Sequence, residues 1–168
     1  CLAREWVSPP SNDKTPEKLA RSIAGLAKKQ RLKVQVLNEA QLKQKKFGAM
    51  LAVAAGSQCK PSLVILENKA AGAKKTVALV GKGVTFDSGG LNIKTGGSIA
   101  DMKSDMSGAA AVAATMITAA KLKMPLNIIG VIPLVENMPS GKATRPGDII
   151  QSYAGKTIEI GNTDAEGR

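Results

Sequence analysis

Two carboxylates stand two residues apart in the run Asn162-Thr163-Asp164-Ala165-Glu166-Gly167-Arg168. If this stretch is an extended strand, Asp164 and Glu166 point to the same face and lie side by side. Like charges at that distance repel each other, so the pair favours a shared proton or a bound cation. Gly167 leaves room for a ligand to approach. Two solvated carboxylates at a strand end would show the same spacing, so the pair alone is not specific.

A second group of candidate residues lies in the glycine-rich stretch Gly81–Gly90. Lys82 and Asp87 follow a predicted strand at Thr76–Val80, and ligands gather at strand ends in open α/β sheets. The stretch does not match a phosphate-binding P-loop, because its lysine precedes the glycines. A surface lysine and an ordinary glycine turn are the alternative. Lys94 follows a few residues later, after a segment that we expect to be extended.

A fourth candidate carboxylate, Asp105, precedes an alanine-rich helix that is predicted to run from Met106 to about Lys123. The many small side chains indicate a helix packed closely against a sheet. Asp105 could simply cap this helix. If instead it is buried together with the helix, its carboxylate needs a cation or hydrogen-bond donors.

The elements around these residues alternate between helix and strand, which indicates an α/β fold. Thr15 is the predicted N-cap of an amphipathic helix over roughly Pro16–Gln30, and Asn38 is the predicted cap of a second helix. The predicted strands are Lys33–Leu37, Ser62–Glu67, Thr76–Val80, Leu126–Val135, Ile149–Tyr153 and Thr157–Ile160. No long polar linker divides the chain, so we expect residues 1–168 to form a single domain.

Composition restricts the chemistry that is open to the chain. With 168 residues, of which 43 % are hydrophobic and only 2 % aromatic, the sequence predicts one aliphatic core. No apolar run approaches the ~20 residues of a membrane span. Two cysteines are too few for a disulfide framework and favour a reducing compartment. Because the chain contains no histidine, a metal site must use oxygen ligands or an amine.

Positive charge is concentrated in the first half of the chain. Up to Val80 there are 15 of the 24 Lys and Arg residues but 5 of the 13 Asp and Glu residues. Such a half could form a patch that binds nucleic acid. We favour a solvated lysine-rich face, because few aromatic or arginine side chains accompany the lysines to stack on or read bases.

Several segments together resemble the leucyl (cytosol) aminopeptidase family of dinuclear zinc exopeptidases. The run that ends in Arg168 is identical to the family motif N-T-D-A-E-G-R, and the similarity extends over nearly the whole chain. The other segments that resemble family motifs are Gly81–Gly90, Met102–Ala110, Glu136–Gly141, Arg145–Asp148 and, more loosely, Ser8–Asn12 with Pro16.

The resemblance implies a mixed central β-sheet flanked by helices, as in the catalytic domain of these exopeptidases. Family members continue beyond Arg168 and carry a separate N-terminal domain. This difference in extent, and a first residue, Cys1, that is not Met, predict that the sequence is a fragment. We expect its catalytic domain to be truncated at the C-terminal side. No signal peptide is expected at Cys1.

The resemblance also implies two divalent metal ions, Zn²⁺ and/or Mn²⁺ with Mg²⁺ as an alternative at one site, and a water bridging them as nucleophile. The family positions that bind the metals correspond to Lys82, Asp87, Asp105, Asp164 and Glu166. Lys94 matches the lysine that stabilises the oxyanion. Arg168 matches the arginine that holds a bicarbonate ion as general base.

For the substrate, the resemblance implies a peptide whose N-terminal residue is apolar and leucine-like. Met102 matches a position that lines the pocket for this residue, although a core methionine is the alternative. Asn162 and Ala165 are also expected to contact the substrate. A cytoplasmic homo-hexamer is expected for the full-length protein. Two other hypotheses are a structural paralogue with a vestigial site and an additional DNA-binding role; the undamaged ligand set favours the enzyme.

Overall fold

The computed structural model describes residues 1–167, in which helices and strands alternate as the sequence predicts. The elements in chain order are α1 (Leu2–Val7), α2 (Pro16–Lys29), β1 (Lys33–Leu37), α3 (Glu39–Gln44), α4 (Gly48–Ala54), β2 (Ser62–Asn68), β3 (Thr76–Val80), β4 (Gly83–Asp87), a 3-10 helix (Gly97–Ser104), α5 (Ser107–Lys121), β5 (Asn127–Asn137), β6 (Ile149–Gln151) and β7 (Thr157–Glu159). The α/β fold with a mixed central sheet flanked by helices is confirmed.

Strand β5 is the centre of a five-stranded sheet. On one side it pairs antiparallel with β2, which in turn pairs antiparallel with β1. On the other side β3 and β4 both pair with it in parallel. Along β5, Ile128, Ile132 and Leu134 point to one face and are buried, while Ile129 and Val131 on the other face are half-buried. Strands β6 and β7 lie where two strands were predicted and form a separate antiparallel pair.

Strands β3 and β4 lie along β5 as one strand that is interrupted at Gly81 and Lys82. The pairs Val80–Val131 and Gly83–Leu134 keep the same register on both sides of the interruption. At the break, the carbonyl of Lys82 turns away from the sheet and accepts a hydrogen bond from the Ala109 amide of α5, at 2.8 Å. The break therefore ties the first turn of α5 to the sheet beside Lys82.

Helices cover both faces of the sheet. Helices α1, α2 and α5 pack on one face through a core that includes Ile23, Leu66, Met116 and Ile132, all 0 % exposed. Helices α3 and α4 cover the other face through smaller clusters around Leu42, Val84 and neighbouring residues. Ala109, Ala110, Ala113 and Ala119 of α5 are buried against the sheet, which confirms the close packing that the composition of this helix predicts.

Some local predictions are confirmed and others are wrong. Pro16 begins α2, and Asn38 caps α3 through a hydrogen bond from the Gln41 amide. Helix α1 was not predicted. The stretch Gly81–Gly90, interpreted as a loop, contains β4, because its Val, Thr and Phe side chains pack beside β5. The segment before Lys94, expected to be extended, forms turns and bends.

Candidate metal centre

The candidate residues meet at the edge of the sheet where β4 and β5 end. Because these strands are parallel, their last residues, Asp87 and Asn137, are paired neighbours. A β-bulge between Val84 and Asp87 bends β4 just before this point. The segment that follows β7 crosses the same edge and brings Asp164 and Glu166 to Asp87. Ligand oxygens of these three carboxylates lie within 4.8 Å of one another.

Asp164 and Glu166 converge through turns, so the expectation of an extended strand is wrong. Asn162 is the reason, because its side-chain oxygen accepts a hydrogen bond from the Asp164 amide at 2.7 Å and closes a local turn. Thr163 then fastens the turn to the loop after β4, where its amide donates to the Asn92 side chain at 2.9 Å. The predicted proximity of the two carboxylates is nevertheless found.

Lys94 inserts its ammonium between two of these carboxylates. Its Nζ lies 3.1 Å from Oδ2 of Asp87 and also contacts Oδ1 of Asp164. The hydrogen bond to Asp164, helped by the one to Asp87 and opposed by burial, raises the pKa of Lys94 well above its usual value. In this structure Lys94 therefore supplies the positive charge that the two carboxylates require.

Lys82 supplies the positive charge beside the other two carboxylates, Asp105 and Glu166. Its Nζ lies 2.7 Å from Oδ2 of Asp105 and 2.8 Å from Oε1 of Glu166. Burial disfavours the charged form of Lys82, but pairing with Asp105 and Glu166 outweighs burial and raises its pKa. Burial raises the pKa of Asp105, with Lys82 acting in the opposite direction.

Three carboxylate oxygens here are buried and lack a hydrogen bond of proper geometry from any residue in 1–167. They are Oδ2 of Asp105 and both oxygens of Glu166, whose side chain is only 4 % exposed. The single ammonium of Lys82 contacts both carboxylates and offsets only one of their two negative charges, so the site requires further positive charge. The residues therefore fit divalent cations, and a set of oxygen ligands with one amine agrees with a chain that has no histidine.

Asp105 does not cap α5, so that alternative is wrong. The residue at the N-cap position is Met106, and no side chain caps this helix end. Asp105 instead ends the 3-10 helix and turns its carboxylate towards Lys82. The hydrogen bond between the first turn of α5 and the strand break at Lys82 places the two residues together.

A cavity of about 400 Å³ opens beside the carboxylates, and two of the three predicted substrate-binding residues line it. Asn162 and Ala165 contribute to its wall together with Glu166 and with apolar residues that include Ala52, Val53, Met138, Ile150 and Ile160. Met102 lies half-buried on the 3-10 helix and does not line this cavity. Arg168 lies outside the described residues.

Asn137 is the site residue that was given no role on sequence grounds. It ends β5 with its side chain 4 % exposed and donates a hydrogen bond to Asp87. The available signal was a polar amide at the end of a long apolar strand.

Within residues 1–167, no helix combines the length and the hydropathy that a membrane crossing requires.

Comparison with known proteins agrees with this geometry. The catalytic domain of the cytosol aminopeptidase family matches residues 1–168. The chain is 52 % identical over 168 residues to a probable cytosol aminopeptidase of Syntrophotalea carbinolica, covering 99 % of this chain and 34 % of that protein. It is 50 % identical over 166 residues to one of Streptomyces avermitilis, covering 99 % and 32 %.

Solved structures give the same result. The bottromycin maturation enzyme BotP, in complex with Mn, superposes with a TM-score of 0.94 at 44 % identity, covering 99 % of this chain and 36 % of that one. Leucine aminopeptidase of Caenorhabditis elegans gives a TM-score of 0.95 at 34 % identity, covering 99 % and 34 %. The chain thus spans about a third of the length of its relatives. On the match along its whole length, this chain belongs to the cytosol aminopeptidase family.

Proposed function

We propose that the protein containing this chain is a metal-dependent aminopeptidase, which hydrolyses the N-terminal residue from peptides. The observation that carries the proposal is the convergence of four carboxylates and two lysines at one sheet edge, where the buried Glu166 and Asp105 share the single ammonium of Lys82. Membership of the cytosol aminopeptidase family supports it.

The proposed ligands of two divalent ions, Zn²⁺ and/or Mn²⁺ with Mg²⁺ as an alternative at one site, are Lys82, Asp87, Asp105, Asp164 and Glu166. Four carboxylates supply enough negative charge to offset two such ions. When bound, these ions would activate a bridging water near neutral pH and polarise the scissile carbonyl. A similar protein solved in complex with Mn supports metal binding by the protein that contains this chain.

The two lysines have different proposed tasks. Lys82 is a ligand only as a neutral amine, so it must release its proton when a metal binds. Lys94 keeps its proton, and its ammonium would stabilise the negative charge that develops on the carbonyl oxygen during attack. Without metal, the hydrogen bonds from Lys94 to Asp164 and Asp87 raise its pKa, which agrees with a charged ammonium at this position. Arg168 would hold a bicarbonate ion as general base.

The cavity beside the carboxylates is the proposed binding place for part of the peptide. Its walls are mainly apolar, which favours an apolar, leucine-like side chain. Asn162 and Ala165 would contact the peptide there, and Met102 would line the pocket for the N-terminal side chain. A homo-hexamer in the cytoplasm completes the proposal; the relatives described as probable cytosol aminopeptidases support its cytoplasmic part.

The test is hydrolysis of a leucyl-anilide by the full-length polypeptide, with and without added Zn²⁺ or Mn²⁺. We expect cleavage that requires the metal and is lost in Asp164→Asn, which keeps the shape of the side chain and removes its charge. Lys33→Met, at an exposed ion pair on β1, is the matched control and should retain activity. Metal binding without cleavage would instead favour a structural paralogue.

A further inference from the structure

Asn137 connects two segments that carry candidate metal ligands. Its side-chain Nδ2 donates to Oδ1 of Asp87 at 2.8 Å and to the carbonyl of Thr163 at 3.0 Å. Asp87 ends β4, and Thr163 immediately precedes Asp164. A single buried amide therefore spans the distance between the two segments, and only a group with two N–H donors can satisfy both oxygens at once.

The bridge also determines which oxygen of Asp87 is available. Oδ1 accepts hydrogen bonds from Asn137 and from the Gly89 amide, the latter at 3.0 Å. Oδ2 is left to face the cation, a place that the ammonium of Lys94 takes in this structure. With one oxygen held by two donors, the carboxylate plane of Asp87 cannot rotate freely.

Asn137 itself is held rigidly. The amide and the hydroxyl of Ser88 both donate to its backbone carbonyl, at 3.0 and 2.8 Å. Gly90 leaves the space for its side chain, because a Cβ on Gly90 would lie 2.9 Å from Oδ1 of Asn137. A short, buried side chain whose Nδ2 makes two hydrogen bonds has little freedom to move, so it fixes the positions of the two groups that it contacts.

We propose that Asn137 is a positioning residue that holds Asp87 and the Asp164 segment at the separation required for metal binding. The proposal rests on the function proposed above. Side chains that hydrogen-bond to metal ligands typically change metal affinity or activity by about 10- to 100-fold when they are replaced. We expect an effect of that size on the dissociation constant for Mn²⁺, as well as on turnover.

The same strand offers a matched control. Asn127 begins β5 as Asn137 ends it, and its side chain also makes two hydrogen bonds to a neighbouring loop, one to the Ala70 amide and one to the Ala73 carbonyl, both at 3.0 Å. It lies at the opposite end of the strand from the carboxylates. Asn127→Ala therefore removes a comparable amide bridge without touching the site.

The experiment compares Asn137→Ala, Asn127→Ala and the unchanged full-length polypeptide. Three quantities are measured for each protein. The dissociation constant for Mn²⁺ is measured by competition with a chelating dye, and the unfolding temperature is measured in EDTA. The rate of leucyl-anilide hydrolysis is measured over a range of Mn²⁺ concentrations. Asn137→Ser serves if Asn137→Ala does not fold, because a hydroxyl donates one hydrogen bond and cannot bridge both oxygens.

We expect Asn137→Ala to bind Mn²⁺ about 10- to 100-fold more weakly and to regain turnover when Mn²⁺ is raised in proportion. Asn127→Ala should lower the unfolding temperature in EDTA and leave the dissociation constant unchanged. Equal Mn²⁺ affinity in the unchanged protein and the Asn137 variants would overturn the positioning role of Asn137 and leave the proposed function intact. If the unchanged protein binds no Mn²⁺ and cleaves nothing, the proposed function fails and this inference fails with it.

Discussion

Gly81 and Gly108 lie in direct backbone contact, because a Cβ placed on Gly81 would be 2.5 Å from the carbonyl oxygen of Gly108. Gly81 is in the break between β3 and β4, and Gly108 is in the first turn of α5. A side chain at Gly81 would push this helix away from the sheet. Since Asp105 precedes the helix and Lys82 follows Gly81, the same contact sets the distance between these two candidate ligands.

Gly81→Ala is therefore expected to destabilise the protein by about 1–3 kcal/mol, the usual cost of overpacking. We also expect weaker Mn²⁺ binding, because Asp105 would move with α5. Gly25→Ala is the matched control: a Cβ there meets nothing within 4 Å, so on the exposed side of α2 it should stabilise by about 0.5–1 kcal/mol. Chemical denaturation and Mn²⁺ titration measure both effects. A Gly81→Ala protein as stable as the unchanged one would show that the helix can adjust.

Glu166→Gln should reduce the stability that the protein gains from metal. In EDTA the variant should be no more stable than the unchanged protein, because it loses the ion pair between Glu166 and Lys82 and keeps only the pair between Lys82 and Asp105. With saturating Mn²⁺ the unchanged protein should gain stability and the variant should gain much less. Thermal unfolding in both solutions measures the difference. An equal gain in the two proteins would exclude Glu166 as a ligand.

Lys14 provides a test of stability against pH. It is 4 % exposed, and its Nζ donates to the carbonyl of Val7 at 2.5 Å, at the end of α1. Burial, and to a lesser degree the charge of Lys103, lowers the pKa of Lys14 from 10.5 to about 8. Below pH 8 the lysine is charged in both states, so the folded state bears the cost of burying the charge.

Between pH 8 and 10.5 the unfolded state binds more protons than the folded state, so the contribution of Lys14 to stability rises with pH. We expect the free energy of unfolding of the unchanged protein, minus that of Lys14→Met, to increase by about 3 kcal/mol over this range. Urea denaturation at several pH values measures this difference, in which the titration of other lysines cancels. A difference that is flat, or that falls with pH, would contradict the lowered pKa.

Filling the cavity beside the carboxylates should affect substrate binding more than metal binding. Ala52 of α4 lines the cavity and is not close in sequence to any candidate ligand. Ala52→Leu is expected to raise KM for leucyl-anilide and to leave the dissociation constant for Mn²⁺ unchanged. Ala40→Leu, on an exposed position of α3, is the control for the added volume. An unchanged KM in Ala52→Leu would remove this cavity from the substrate site.

Much of the fold follows from local patterns in the sequence. The helical period over Pro16–Lys29 and the aliphatic runs of β2, β3 and β5 each indicate their element directly. The predictions that are wrong have two different causes. β4 is short and lies within a glycine-rich stretch, and it forms because it pairs with β5, which is distant in sequence. The turn at Asp164 depends on the side chain of Asn162, which competes with strand formation.

The candidate site was predictable as a set of residues and not as an arrangement. Spacing and resemblance identified the five proposed ligands. The four carboxylates among them form ion pairs with two lysines, Lys82 and Lys94, and each lysine contacts two carboxylates from different segments of the chain. The pairing of Lys82 with Asp105 required the packing of α5 on the strand break, which depends on contacts far apart in sequence. Asn137 could not be given a role, because an amide has no distinctive signal until its two partners are placed.

The interrupted strand formed by β3 and β4 limits how the length of this chain can vary during evolution. An inserted or deleted residue between Val80 and Gly83 would shift β4 by one position against β5. Because successive side chains alternate between the two faces of a sheet, Asp87 would then point away from its partners. The lysine-containing turn between β2 and β3 does not set the register of β4. We therefore expect insertions among family members to be more frequent in this turn than at the break between β3 and β4.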